Sequence, residues 1–437
     1  MVAMARPSKP NTNRAVTHPK MSPTLRKAVR SACKRKKGRT RQKSLRIILE
    51  LKHRPSRKLI RSLKRCAHSG DSSSRFNVLK RMPRLSVMSA RISADCLRRL
   101  CGHRHIRRAH LDRKVQVSLN VATPAVGSAK LQKQGETGKG ITIAIIDTGA
   151  YPHPDLTKPV NRIIAFKDFV NGKKKPYDDN GHGTHVAGDA AGNGLSSHGK
   201  YRGPAPKAKL VIAKAFDELG FGSTSDIIAA IDWVIRKRQK YGIRIVNMSF
   251  GGGGITRCAD DPICTAAEHA WKDGLLVVTS AGNAGPAPKT IESPGISPLL
   301  LTVGAVNDRR TIRQSDDVVA GFSSRGSLRC KRKKPDLVAP GTNIISLRAP
   351  GSLVDIFDPG NRVGKSYFKM SGTSMATPIV SGAAAQLLQR SPRLTPCQIK
   401  RLLKRHTFRL KAKPNAQGRG ELNVRFFAKR RKCSCTK

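Results

Sequence analysis

The chain reads as an α/β protein with a mainly parallel central sheet and helices on both faces, preceded by a small α+β unit. Three observations predict this. Apolar runs of strand length alternate with helical patterns through the middle and end of the chain, which is the rhythm of strands joined by crossover helices. The runs are nearly continuous in Val, Ile, Leu and Ala rather than alternating, as strands buried on both faces are. The stretch before them carries its own β-α-β-β-α-β order.

Taken in order, residues 1–43 contain Lys34-Arg35-Lys36-Lys37 with almost no apolar periodicity and read as a disordered basic tail. Residues 44–118 give a strand at Leu45–Leu51, a helix at Ser56–Ala67, strands within Arg75–Ile92, a helix at Ala94–Cys101 and a strand at Ile106–Val117. From 119 to 425 strands are expected at Ile141–Ile146, Leu210–Ala213, Ile243–Met248, Leu275–Thr279 and Leu299–Val306. Helices are expected at His185–Ala191, Thr224–Arg238, Thr265–Lys272 and Ser374–Gln389. The stretch Asp226–Ile235 places apolar residues three and four apart, as a helix lying on a sheet does. About 300 residues in this region suffice for one large core. Residues 426–437 form a second basic tail with Cys433 and Cys435.

The net charge of +58, from 85 Lys and Arg against 27 Asp and Glu, is spread over the chain. Residues 1–120 carry 34 cations against 4 acids, and residues 121–437 carry 51 against 23. Such a field draws polyanions without regard to sequence. Specific reading of nucleic acid is not expected, because aromatic residues are only 4% and no zinc knuckle accompanies the basic residues. No run of about 18 apolar residues is present, so no membrane span is expected. Nor does the basic tail hold the apolar core of a secretory signal, which leaves a cytoplasmic location or export by a route without a visible signal. The ten cysteines form neither a disulfide scaffold nor a metal pattern; Cys258 and Cys264, close in a loop, could bridge in an oxidising compartment, and the others read as small core residues or exposed thiols.

Three segments carry chemistry. Gly372-Thr373-Ser374-Met375-Ala376-Thr377-Pro378 sets a serine at a glycine-led turn that opens into an apolar helix, where free backbone N–H groups and the helix dipole favour negative charge. Ile141–Gly149 is an apolar strand ending in Asp147, at the strand end where open α/β sheets place their ligands. Asn180–Gly188 brackets two histidines with glycines; their spacing of three, with no Glu between, is not the zinc pattern of two histidines four apart. Each alone has an ordinary reading as a cap or a turn. Together Asp147, His185 and Ser374 supply an orienting carboxylate, a general base and a nucleophile, the roles that acyl transfer by serine requires. Their chain order, Asp then His then Ser, excludes the chymotrypsin-like and α/β-hydrolase arrangements.

With these residues in that order the chain resembles the subtilisin-like serine proteases (peptidase family S8). Asp147-Thr148-Gly149, His182-Gly183-Thr184-His185-Val186-Ala187-Gly188 and Gly372–Pro378 match three signatures of the family. Tyr151–Leu156 and Met370-Ser371 look closest to its bacterial AprX-like branch. The resemblance implies a serine endopeptidase acting on polypeptides, with no cofactor in the chemistry. It implies that Asn283, in Thr279-Ser280-Ala281-Gly282-Asn283, donates to the oxyanion. It further implies that Ser249-Phe250-Gly251 and Gly220-Phe221-Gly222 flank an extended substrate. The α+β unit resembles the family's inhibitory prodomain, with Lys114–Asn120 extended in the cleft and cleavage between Val117 and Ala125; a permanent accessory domain of ferredoxin-like shape is the alternative. Aligned on Pro294-Gly295, Glu292 falls at the floor of the pocket for the residue before the scissile bond, where it would favour Lys or Arg; a solvated Glu paired with Lys289 is the alternative. Structural calcium is common in the family and Asp155 falls near one such position, yet the 193–203 loop lacks the carboxylates to complete it. Two other classes keep the same fold: a catalytically silent peptide binder and a surface protein that merely binds polyanions.

Overall fold

The computed structural model describes residues 18–32, 44–68, 76–112, 114–117, 125–255, 257–309, 311–326 and 334–428, and the chain divides into two units, Met1–Arg113 and Lys114–Lys437.

The first unit comprises α1 (Pro23–Ala32), β1 (Leu45–Leu51), α2 (Arg57–His68), β2 (Phe76–Met82), β3 (Val87–Ile92), α3 (Ala94–Gly102) and β4 (Ile106–Leu111). Its four strands form an antiparallel sheet in the order β2-β3-β1-β4, and the residues facing the helices, among them Ile47, Leu49, Leu63, Leu97 and Leu100, make one core. Helix α1 contradicts the expectation of a structureless tail through residue 43. Met21, Leu25 and Val29 recur four apart and are buried in that same core, so one narrow apolar stripe suffices where the surrounding cations hide it from composition. Residues 1–17 and 33–43 lie outside the described residues.

The second unit opens with β5 (Lys114–Val117), followed by α4 (Ser128–Lys133), β6 (Thr142–Asp147), α5 (Pro154–Thr157), β7 (Ile163–Asp168), α6 (His182–Ala191), β8 (Lys209–Lys214), β9 (Phe221–Ser223), α7 (Thr224–Tyr241), β10 (Ile243–Met248) and β11 (Phe250–Gly251). Then come α8 (Pro262–Lys272), β12 (Leu276–Ser280), β13 (Leu301–Asn307), β14 (Val318–Val319), β15 (Leu337–Pro340), β16 (Ile344–Leu347), α9 (Leu353–Phe357), β17 (Arg362–Val363), β18 (Tyr367–Met370), α10 (Thr373–Arg390) and α11 (Pro396–Arg405). The central sheet runs β14-β13-β12-β10-β6-β8-β7, with β15 also on β13; every pairing is parallel except β13 with β14. Its strands β6, β10 and β12 are buried almost residue for residue, which is why they read as continuous apolar runs. Helix α10 packs on β10, β12, β13 and α6 and is buried from Thr373 through Leu388, so it is a central helix.

The expected strand Ile106–Val117 is two strands. β4 ends at Leu111 in the first unit, while β5 belongs to a small sheet of the second, between β9 and β11. Cys258, just ahead of α8, and Cys264, in its first turn, form a disulfide. Among the described residues no helix is long and apolar enough to cross a membrane.

Candidate active site

Asp147 ends β6 and accepts two hydrogen bonds on one oxygen: the N–H of Thr148 at 2.8 Å and Nδ1 of His182 at 2.7 Å. Both side chains are fully buried. His182 is the first residue of α6, set there by Gly181, whose φ of 104° is a left-handed turn open to glycine, and by the Asn180 side chain, which accepts the His182 N–H at 3.1 Å. Asp178 braces the same turn. Its carboxylate accepts from the N–H groups of Gly181 and Thr184 and the Thr184 hydroxyl, while the Thr148 hydroxyl donates to it and accepts from the Gly183 N–H. A Cβ on Gly183 would collide with the Gly149 carbonyl, so the two glycines let strand end and helix start meet. Beneath them the fully buried Lys214 ammonium donates to the Thr148 and Phe216 carbonyls and to Asp179.

His185 is not the partner of Asp147, contrary to the sequence reading. One turn further along α6, its Nδ1 lies 2.9 Å from Asp189 Oδ2 and its Nε2 3.2 Å from the Phe368 carbonyl, so both ring nitrogens are committed inside the fold. Burial pushes the Asp189 carboxyl above its usual range, and His185 beside it pulls the other way. The two histidines lie three apart on one helix face, and spacing alone does not choose between them. Asp189 was the available signal: a carboxylate four residues after His185 gives that histidine a partner within its own helix.

Ser374 is the second residue of α10 and fully buried, following Gly372, whose N–H donates to the Gly341 carbonyl at 2.7 Å. Asn283 lies against the same helix start. Its Oδ1 accepts the Thr373 N–H at 2.9 Å and the Thr373 hydroxyl at 3.0 Å, which turns the Nδ2 amide to the other side. Thr373, which nothing in the sequence singled out, also receives the Gly282 N–H on its hydroxyl at 3.2 Å and so ties the Asn283 loop to the helix that carries Ser374.

The edges expected to hold an extended peptide hold one. β5 pairs antiparallel with both β9 and β11: Val115 faces Gly222, Gln116 faces Phe221 and Gly251, and Val117 faces Phe250. Gly220 makes the turn into β9 at a φ of 75°, and Ser249 joins β10 to β11 with its hydroxyl accepting the Asn247 amide. Residues 118–124 lie outside the described residues, and with them most of the expected cleavage region. Behind β11, Gly252 and Ser293 exchange backbone hydrogen bonds at 2.9 and 3.1 Å, which brings Glu292 against Gly251 and Gly282. Burial raises the Glu292 pKa and the Asn283 N–H it accepts lowers it, and among the described residues no ion pair joins it to Lys289.

Asp155 does not fit a calcium ligand. One carboxylate oxygen accepts the Ser196 N–H at 2.9 Å and the other the Tyr367 hydroxyl at 2.7 Å, while the Arg162 guanidinium sits on the Asp155 carbonyl. A resident cation of the protein already holds that corner, and a divalent ion would face it.

The pattern of the subtilase family (peptidase S8) matches residues 138–424. The chain belongs to the subtilase family. It is 45% identical to serine protease AprX of Bacillus subtilis (strain 168) over 359 residues, covering 80% of each chain, and 33% identical to subtilisin DY of Bacillus licheniformis over 284 residues, covering 64% of this chain and 88% of that one. Among solved structures, the S41 psychrophilic protease is 30% identical with a TM-score of 0.55, covering 66% of this chain and 92% of that one. Fervidolysin from Fervidobacterium pennivorans, described as a keratinolytic enzyme related to subtilisin, shares the fold at a TM-score of 0.68 and 22% identity, covering 87% of this chain and 60% of that one. As a subtilase the protein is a serine endopeptidase that acts on polypeptides, and subtilase chemistry needs no cofactor.

Proposed function

We propose that this subtilase cleaves peptide bonds through Asp147, His182 and Ser374, with Asn283 and the Ser374 N–H binding the oxyanion. The observation that carries the assignment is the buried 2.7 Å contact between Asp147 and His182 Nδ1. With Nδ1–H donated to the carboxylate, the neutral ring keeps its basic lone pair on Nε2, the tautomer that accepts the serine proton. Helices α6 and α10 pack together, and the Ala190 carbonyl lies under Gly382, as far along α6 from His182 as Gly382 is along α10 from Ser374. Ser374 Oγ attacks the scissile carbonyl as His182 takes its proton; the imidazolium, held by Asp147, returns the proton to the leaving amine; water then resolves the acyl-enzyme by the same route. The Asn283 amide, freed on its Nδ2 side by the bonds from Thr373, stabilises the oxyanion as charge develops, a contribution of about 10²–10³ in turnover.

The resident strand Lys114–Val117 supports synthesis as a self-inhibited zymogen. It occupies the two edges that main-chain pairing offers to an extended peptide, and it follows directly from the α+β unit. A fluorophosphonate is expected to label Ser374 in the processed enzyme and to fail with Ser374→Ala. N-terminal sequencing is expected to find a new terminus between Val117 and Ala125 in wild type, with purified Ser374→Ala intact. Full activity of an uncleaved chain would refute the zymogen reading.

A further inference from the structure

Three backbone segments converge beside the oxyanion residue: Gly251-Gly252 of the substrate edge, Ala281–Asn283, and Glu292-Ser293. The last is tied to the first by the paired Gly252 and Ser293 bonds, and to the second by the Glu292 N–H donating to the Ala281 carbonyl at 3.0 Å. The trough between them is lined by two residues without side chains. A Cβ on Gly251 or on Gly282 would run into the Glu292 carboxylate, so that carboxylate lies in the trough and the glycines leave the space in which it lies. Next to Glu292 in sequence, Ile291 packs with Ile255, Ala281, Ile296 and the buried Cys264 of the Cys258–Cys264 disulfide in one apolar cluster.

The carboxylate has one hydrogen bond, from the Asn283 N–H, and among the described residues no cation pairs with it. The chain carries 85 Lys and Arg, and Lys289, three residues away, is exposed, yet no ion pair joins it to Glu292. A largely buried carboxylate is costly without a counter-charge. Asn283 fixes which substrate residue is the neighbour. The carbonyl it polarises belongs to the residue just before the scissile bond, and Glu292 is bonded to the backbone of Asn283 itself.

We propose that Glu292 is the floor of the pocket for that residue (P1) and selects lysine or arginine there, the incoming cation completing the ion pair that the fold leaves open. This rests on the active site proposed above and adds to it the class of bond cut. The pairing works as opposite charge does in other P1 pockets.

The test uses processed wild-type enzyme, its Ser374 confirmed by fluorophosphonate labelling, on tetrapeptide substrates that differ only at P1: Lys, Arg, norleucine, Ala, Leu and Phe. Norleucine matches the lysine stem without its charge. The expected result is a kcat/KM for Lys and Arg about 10²-fold above norleucine, with the Lys-to-norleucine ratio falling to near one in Glu292→Gln. Labelled enzyme that treats Lys and norleucine alike overturns the inference, as does a ratio that survives in Glu292→Gln. A preference for Ala over all others also overturns it, since Glu292 would then be a plug that shortens the pocket. Should Glu292→Gln fail to fold, the wild-type series alone decides. Absence of labelling at Ser374 overturns the active-site assignment instead, and this inference with it.

Discussion

Two histidines three residues apart on one helix hold different carboxylates, and the proposed active site uses only one of them. His182 holds Asp147, while His185 holds Asp189 and the Phe368 carbonyl. Replacing His182 by Ala removes the general base, and kcat is expected to fall by about 10⁴ or more with the folded state intact. Replacing His185 by Ala leaves the Asp189 carboxylate buried without its partner, which costs about 3 kcal/mol in stability; the fraction that remains folded, counted by active-site titration, is expected to turn over substrate within a few-fold of wild type. Loss of turnover per titrated site in His185→Ala, with full turnover in His182→Ala, would reverse the assignment. The placement of Asp147 at a strand end and of Ser374 at a helix start was legible in the sequence because an apolar run that stops at one polar residue marks such a junction. The histidine that pairs with Asp147 was not, because both histidines satisfy the same glycine-rich spacing and only three-dimensional partners distinguish them.

At the level of elements, the buried strands were read correctly because burial on both faces makes them continuous in apolar residues. The short stripe of α1 was lost among cations, and β5 was merged with β4 because alternation does not say which sheet a strand joins. The crossing near the end of the chain shows a property that no local pattern announces. Glu421 sits between Val338 of β15 and Phe408, fully buried, with Asp317 against it and Asp308 nearby. Burial raises its pKa from an ordinary 4.5, and the Asp317 carboxyl raises it further; Asp317 is itself pushed up, with Arg309 a modest counterweight. A group whose pKa is higher in the fold contributes its full stability below the unfolded value, and loses it as pH rises toward the folded one. Thermal stability is therefore expected to decline from about pH 4.5 upward on account of this pair. Glu421→Gln, which cannot ionise, should match wild type near pH 4.5 and exceed it by several degrees in Tm at pH 9, since about 1–2 °C accompanies each kcal/mol at this length. Parallel declines in the two proteins by scanning calorimetry would rule the pair out as the cause.

Across the whole molecule, positive charge serves the interior as well as the surface. Lys334, at 1% exposure, donates to the Leu300 carbonyl, Thr302 and Asp336; Lys400 gathers the carbonyls of Pro298, Leu299 and Leu300; and Lys404 completes the ring around Asp336. Three ammonium groups hold the Asp336 carboxyl far below its usual range, and burial with their mutual repulsion brings Lys400 down to about 7. These few buried cations leave most of the +58 outside, with both the first 120 residues and the remainder strongly basic. Charge shared along the chain in this way should act through counterion release alone. Ser374→Ala, which binds without cutting, is expected to hold duplex DNA of any sequence and a sulfated polysaccharide of equal charge density about equally well. Its log affinity should fall linearly with log salt and lose about 10³-fold or more between 50 and 200 mM. Because the field of the second unit survives removal of the first, processed enzyme should keep the linear salt dependence with a shallower slope. Binding that discriminates between DNA sequences, or that ignores salt, would mean that some part of this charge is organised as a recognition surface after all.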